Sequence, residues 1–232
     1  MTSTSATLAG GGMTLNNLTI DPSSAGTITA QTSNTGVSGE LNIASGDTLS
    51  IGSVTVTHSG ATLTLNGTIS GSGTFEYQSA TTFPTSGTVS STLRFNAVSN
   101  AQTLPSRAYG GAIEVSNTGA TNRTVTFATG TYSFPSNIYL FASSSGNITL
   151  DASTNTATGT ITGSVDYLGG GLGSEFITLG SGPWTISSNL DISAGNFTAP
   201  VGTLSLAGNY TNTGGTFTHS TGTVVLDGSS QQ

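Results

Sequence analysis

The chain has 232 residues, of which only 6% are charged, and its net charge is −7 with three arginines and no lysine. A nucleic-acid partner is therefore not expected, because a phosphate backbone needs a basic face. The absence of cysteine excludes disulfides and thiolate chemistry, and no run of about 18 apolar residues predicts a membrane span. Hydrophobic residues make up 34% of the chain in short clusters, which indicates an ordered protein and not a disordered Ser/Thr/Gly linker.

Short alternations of apolar and hydroxyl residues recur along the whole chain, and each ends in Gly, Asn or Asp. Residues 62–67 read TLTLNG, residues 148–151 read ITLD and residues 203–208 read TLSLAG. A period of two places successive side chains on opposite faces of a strand, and Gly, Asn and Asp supply the turns that end it. No stretch has the 3.6-residue apolar spacing of a helix. The sequence thus predicts an all-β protein with strands of about three to five residues.

Similar strand endings return at intervals of roughly 20–30 residues. They occur at 65–67 (LNG), 95–97 (FNA), 150–152 (LDA) and 226–228 (LDG). Such intervals are typical of solenoids, in which each coil buries its apolar face by stacking on the next. We therefore predict a single-stranded parallel β-solenoid (a β-helix) that forms one domain over residues 1–232. It would have roughly 20–30 residues per coil, with Leu, Ile, Val and Phe facing inward.

The middle of the chain, residues 79–135, is less regular than its flanks. It contains Pro84, Pro105, Pro135 and all three arginines, and proline is not tolerated in the central strands of a sheet. We expect irregular loops that leave the rod here, in the form of a loop-rich insertion at about 79–135. The segment 169–175 (GGGLGSE) is a second expected excursion from the rod.

Groups that could carry catalysis are few and are scattered along the sequence. A glycosidase needs two carboxylates within about 5–10 Å of each other, and stacking could bring Glu114 near an acid one coil away. A polysaccharide lyase commonly adds a lysine or arginine, and this chain has no lysine and only three arginines. We therefore expect no enzymatic activity, no cofactor and no metal site.

Other residues that could form sites are interpreted in structural terms. His58 and His219 each follow a predicted strand, and both are expected to be solvated side chains. Residues 169–175 are distantly similar to a glycine-rich calcium-binding repeat but lack the aspartate that supplies its ligand. Two interpretations stay open for Trp184, Tyr109 and Tyr139, which either stack on sugars from the surface or fill layers of the core.

The two termini carry complementary halves of one sequence pattern. Residues 222–231 (GTVVLDGSSQ) fit the pattern G-x-V-x-x-x-G-x-x-Q, and residues 7–20 (TLAGGGMTLNNLTI) begin T-[LI]-x-G and end in L-N-N-L-T-I. Together they resemble a repeat of large bacterial surface and adhesin-like parallel β-helix proteins, in which the first half is followed directly by the second. The resemblance implies either a module from a tandem array or subunits that stack head to tail, at an extracellular or cell-surface location.

Both end coils are therefore expected to take part in self-association. Terminal strands of a solenoid expose unpaired N–H and C=O groups, which natural proteins protect with charge, proline or a capping helix. Here the first twenty residues carry no charged side chain and the last ten carry only Asp227. Such an edge favours the addition of another strand. The residues predicted to form these surfaces are Thr7, Leu8, Met13, Leu15, Leu18, Ile20, Val224, Val225, Leu226 and Gln231.

The function that these features favour is that of a structural cell-surface module, which stacks head to tail into a filament or a tandem rod. Its partners would be itself or adjacent like modules, with surface glycans as a second class of partner. One alternative is a carbohydrate-binding or adhesin module that holds its ligand in residues 79–135, and a less favoured one is a polysaccharide-degrading enzyme. No signal peptide is visible at the N-terminus, so we expect either a chain excised from a longer precursor or an export signal replaced by a start codon.

Overall fold

Alternating apolar and hydroxyl residues form short parallel strands throughout the computed structural model, which describes residues 5–9, 11–21, 24–96, 102–168 and 174–229. The prediction of an all-β fold is confirmed. The first eleven strands are β1 (Ser5–Leu8), β2 (Thr14–Leu15), β3 (Leu18–Ile20), β4 (Thr27–Ala30), β5 (Thr35–Val37), β6 (Leu41–Ile43), β7 (Thr48–Ile51), β8 (Thr55–His58), β9 (Leu63–Leu65), β10 (Thr68–Ser70) and β11 (Thr74–Tyr77). The next nine are β12 (Thr88–Val89), β13 (Thr92–Asn96), β14 (Gln102–Leu104), β15 (Ile113–Asn117), β16 (Arg123–Phe127), β17 (Gly130–Phe134), β18 (Ile138–Ala142), β19 (Ile148–Asp151) and β20 (Ala157–Ile161). The last nine are β21 (Val165–Tyr167), β22 (Glu175–Thr178), β23 (Trp184–Ile186), β24 (Leu190–Ile192), β25 (Asn196–Thr198), β26 (Thr203–Leu206), β27 (Tyr210–Asn212), β28 (Thr216–Thr218) and β29 (Thr223–Leu226).

The strands align into three ladders, and successive strands of a coil belong to ladders I, II and III in turn. Ladder I consists of two sheets, β1-β4-β7-β10-β12 and β17-β20-β23-β26-β29. Ladder II is one continuous sheet, β2-β5-β8-β11-β13-β15-β18-β21-β24-β27. Ladder III consists of the sheets β3-β6-β9 and β14-β16-β19-β22-β25-β28. The chain is therefore a parallel β-solenoid of about ten coils, as predicted.

Register between coils confirms the predicted coil length. Thr48 pairs with Thr68, 20 residues further along the chain, and Ile138 pairs with Val165, 27 residues further along. At the spacing of neighbouring strands, about ten coils give a rod of about 48 Å.

The middle of the chain keeps the ladders while containing two strand-poor stretches, residues 78–87 and 105–112. The first stretch lies between the two sheets of ladder III, because Thr82 forms a parallel bridge with Thr103 and the Ser86 hydroxyl donates to the Leu65 carbonyl at 2.6 Å. The second stretch lies between the two sheets of ladder I, as the Gly110 N–H donates to the carbonyl of Val89 at 2.8 Å. The described residues of 79–135 thus follow the path of the rod.

The core of the rod consists of columns of inward-facing side chains, one from each coil. On ladder II the registered pairs place six residues, all fully buried, in one column. These residues are Val37, His58, Tyr77, Phe95, Val115 and Leu140. Each buried side chain of this size contributes about 1.5–3 kcal/mol from removal of its apolar surface from water, so the stacking of coils supplies the stability that disulfides cannot.

A block of stacked and edge-on aromatic rings fills the core where the prolines lie in the sequence. The Trp184 side chain is 1% exposed, and its Nε1–H donates to the Ala157 carbonyl at 3.1 Å. Of the two interpretations for the aromatic residues, the core interpretation is correct for Trp184 and for Tyr109, which is 2% exposed. The rings of the block are Tyr109, Phe127, Tyr132, Phe134 and Trp184.

Glycine is required at some corners because successive coils approach each other too closely for a side chain. At Gly60 an added Cβ would lie 1.6 Å from the carbonyl oxygen of Gly39, one coil below. No neighbouring flexible side chain could move aside to relieve this clash, since the contact is with backbone. The glycine content of the chain therefore reflects, in part, the close stacking of corners.

Candidate functional site

The N-terminal end of the rod is formed by β1, β2 and β3, each the first strand of its ladder. Register places Leu8, Leu15 and Leu18 on inward columns, above Ala30, Val37 and Leu41 of the next coil. These three leucines are half-buried, whereas their partners one coil further in are fully buried. The apolar interior of the rod is thus partly open at this end.

The C-terminal end is formed by β27, β28 and β29, the last strands of their ladders. Val224 and Leu226 stand on the inward column above Leu204 and Leu206, and Leu226 is 59% exposed. An apolar cleft of about 190 Å³ opens at this end. It is lined by Leu190, Leu204, Leu206, Tyr210, Phe217, Val224 and Leu226.

The predicted self-association residues fall on two surfaces at opposite ends of the rod, and one chain does not bring them together. Thr7 and Val225 lie on outward columns and therefore face the side of the rod, not its open interior. Gln231 lies outside the described residues. The remaining residues lie at the open ends with apolar side chains on or beside the inward columns, namely Leu8, Met13, Leu15, Leu18, Ile20, Val224 and Leu226.

A second feature lies on the side of the rod, where ladder II places charged residues from successive coils in one outward column. Arg94 lies between Glu76 and Glu114 in register. Its Nη1 lies 3.1 Å from Glu76 Oε2 and its Nε lies 2.5 Å from Glu114 Oε2. Partial burial lowers the pKa of Arg94, but hydrogen bonds and the negative charges of Glu114 and Glu76 outweigh this and raise the pKa above its ordinary value.

The same column continues with Tyr139, Asp166 and Asp191. Asn137 connects the first two of these, because its Nδ2 donates to Tyr139 Oη at 2.8 Å and to Asp166 Oδ2 at 3.1 Å. The pKa of Asp166 is raised, chiefly by loss of hydration and then by the charge of Asp191, while the hydrogen bond from Asn137 lowers it.

An open cleft of about 340 Å³ surrounds the arginine and its two glutamates. One wall is apolar, because Phe141 and Leu168 are 37% and 53% exposed. We call this feature the lateral cleft. It is lined by Glu76, Arg94, Asn96, Glu114, Ser116, Thr118, Tyr139, Phe141 and Leu168.

Sequence reasoning missed the lateral cleft and was wrong about the neighbours of Glu114. The residues one coil away are Arg94 and Tyr139, and the acid that Glu114 approaches, Glu76, lies two coils away across the arginine. The signal was present in the sequence, since the charged and aromatic residues of the column recur at intervals close to one coil. Recognition of this signal required the register of each coil, which varies in length.

Two further interpretations are corrected by the structure. His58 is fully buried and its Nε2 lies 3.2 Å from the Gly39 carbonyl oxygen, so it is a core residue and not a solvated one; His219 is exposed as expected. Glu175 is 1% exposed and accepts a hydrogen bond from the Ala142 N–H at 3.1 Å. The glycines at 169–173 lie outside the described residues.

Among the residues that the structure describes, no group of three or more His, Cys, Asp or Glu side chains could hold a metal ion. No helix long and apolar enough to cross a membrane occurs in those same ranges. Comparison of the chain with family models, with curated proteins and with solved structures finds no match.

Proposed function

We propose that this chain is a structural module of an extracellular or cell-surface protein, which stacks end to end into a filament or a tandem rod. The observation that carries the proposal is the pair of open ends. At both ends the inward apolar columns are partly exposed, and no strand is charged at either edge among β1–β3 and β27–β29. The likeness of the terminal sequences to halves of one surface-protein repeat supports the same function.

The physical basis of the proposal is the cost of leaving a solenoid end uncovered. Edge strands present unpaired N–H and C=O groups together with apolar side chains. A second copy that adds its edge strands satisfies the backbone groups and covers Val224 and Leu226 at the same time. A contact between two different ends does not close on itself, so it propagates into a filament.

Assembly of the purified protein tests this function directly. Leu226→Asp places a charge on the inward column at the C-terminal end and is expected to abolish filaments in electron micrographs and to leave a monomer in sedimentation velocity. The matched control is Val201→Asp, because Val201 is also exposed, at 54%, but lies on a turn between β25 and β26. Wild-type protein that stays monomeric at high concentration, or equal assembly of both variants, would contradict the proposal.

A second candidate function, glycan binding, is favoured by the lateral cleft. Sugars are bound through hydroxyl groups that donate to carboxylates and through apolar ring faces that pack on aromatic side chains. The cleft provides both, since Glu76 and Glu114 lie on the same face as Tyr139 and the exposed Phe141. The prediction that the chain is not an enzyme stays a prediction.

Glycan-array screening followed by calorimetry with the strongest hit tests this second function. Tyr139→Ala is expected to weaken binding at least tenfold, whereas Tyr210→Ala, at the C-terminal end, leaves binding unchanged. An array without hits, or equal loss in the two variants, would count against glycan binding at the lateral cleft.

A further inference from the structure

The two ends of the rod are not flat, because the three ladders have different numbers of levels. Among the described residues, ladder I has ten strands and the segment 107–110, which makes eleven levels. Ladder II has ten strands, and ladder III has nine strands and the segment 82–86, so each of these has ten levels. The extra level on ladder I is β29.

This difference makes the C-terminal end a step, on which the next vacant position is on ladder II above β27. The N-terminal end begins with β1, followed by β2 and β3. If a second copy placed its β1 on β29, its β2 would lie two levels above β27. Ladders II and III would each then contain a gap one strand deep, about 4.8 Å, with unpaired backbone groups on both sides.

We propose that a second copy of this chain docks on the C-terminal end after a rotation of one third of a turn about the rod axis. Its β1, β2 and β3 then pair with β27, β28 and β29 of the first copy, and all three ladders continue without a gap. This inference rests on the proposed stacking function and specifies its geometry.

The side chains at the two ends fit this rotated arrangement. On ladder I, Leu18 and Ile20 of the second copy stand above Val224 and Leu226, because both pairs occupy inward columns of their own ladders. The second copy therefore covers the apolar cleft at the C-terminal end. On ladder III, Leu15 stands above Phe217 by the same alternation.

The similar lengths of the three sides allow a one-third turn. Strands of each ladder have between two and five residues, so no side is distinguished by a long strand that would clash in another position. The alternation of side chains alone does not select the rotated register, because Ala6 and Leu8 would also match Val224 and Leu226 without rotation. The number of levels in the ladders selects it.

Disulfide cross-linking distinguishes the two registers, and the absence of native cysteine keeps the test simple. The rotated register places the outward residue Thr19 beside Val225 of the next copy, and the unrotated register places Thr7 beside Val225. The test compares Thr19→Cys/Val225→Cys with Thr7→Cys/Val225→Cys after mild oxidation, on non-reducing gels. Bonds within one chain are excluded, since the ends are about 48 Å apart and a disulfide joins Cα atoms no more than about 7 Å apart.

The expected result is a ladder of covalent multimers from the Thr19→Cys/Val225→Cys protein and none from the Thr7→Cys/Val225→Cys protein. Each single-cysteine variant can form dimers at most, which provides the control. Multimers from the Thr7 pair alone, from both pairs equally, or from neither pair while wild type still assembles would overturn the rotation and leave stacking in place. Absence of cross-linking together with monomeric wild type would overturn both the rotation and the proposed function.

Discussion

At the scale of single residues, the surroundings of each polar side chain depend on whether it faces the core or the solvent. His58 and Asp166 occupy inward and outward columns of the same ladder, and burial shifts the pKa of both against the charged form. Their effects on stability therefore run in opposite directions with pH. Both effects can be measured by thermal unfolding.

His58→Phe is expected to remove an acid sensitivity of the wild-type protein between pH 7 and pH 5. Loss of hydration lowers the pKa of His58, and the hydrogen bonds to the carbonyls of Gly39 and Thr62 oppose this only in part. The unfolded chain binds a proton below about pH 6.5 that the folded chain does not. Stability should therefore fall with decreasing pH by at most about 1.4 kcal/mol per pH unit.

The exposed histidine provides the control for this measurement. His219→Gln should keep the pH dependence of the melting temperature, whereas His58→Phe should flatten it. An unchanged dependence in His58→Phe would show that other groups cause it.

Asp166→Asn is expected to stabilise the folded protein at neutral pH by ~0.5 kcal/mol, because it removes the repulsion between like charges on adjacent strands. The pKa of Asp166 is higher in the folded than in the unfolded state, so its contribution to stability is present at low pH and is lost as pH rises through the folded pKa. The gain in the variant should therefore vanish near pH 3. Urea unfolding at the two pH values measures it, with the exposed Asp21→Asn as control; destabilisation of Asp166→Asn at pH 7 would refute the account.

At the scale of elements, asparagine side chains at the corners connect each coil to the next. The Oδ1 of Asn147 accepts a hydrogen bond from the N–H of Ser174 at 2.9 Å, and its own N–H donates to Asn122 Oδ1 at 3.0 Å. The same arrangement occurs where the N–H groups of Thr55 and Ser164 donate to asparagines one coil earlier. An asparagine directly before a strand is therefore a signal for a corner.

Asn147→Ala should lower the free energy of unfolding by about 1 kcal/mol, because the N–H of Ser174 loses its acceptor. Asn147→Asp keeps an acceptor oxygen and should cost less. Alanine at the exposed corner residue Asn66 is the matched control and should change stability by no more than about 0.5 kcal/mol. Equal losses at both positions in urea unfolding would show that the hydrogen bond between coils contributes nothing.

At the scale of the whole molecule, each coil contacts only its neighbours, so stability is lowest where one neighbour is missing. The inward residues of β27–β29 are half-buried or exposed, while those of β13 and β15 are fully buried. Local unfolding should therefore begin at the ends and progress toward the middle.

Native-state hydrogen exchange should show this gradient of protection. In monomers, amides of β1–β3 and β27–β29 are expected to exchange at least tenfold faster than amides of β13–β18. In assembled protein, protection at both ends should rise toward that of the middle, because new strands cover the edges. Uniform protection along the rod, or ends that exchange equally fast in monomers and assemblies, would contradict this account.

The sequence by itself determined the all-β fold, the parallel solenoid and the approximate coil length. Alternation of residues such as Leu63 and Leu65 depends on local geometry, and coil length follows from recurrent turns. Only the tertiary structure decided which residues from different coils meet. The contact of Arg94 with Glu76 and Glu114, the burial of His58 and the step at the C-terminal end all depend on register between coils of 20 to 27 residues, because a small change in the length of one coil moves every later side chain to another position.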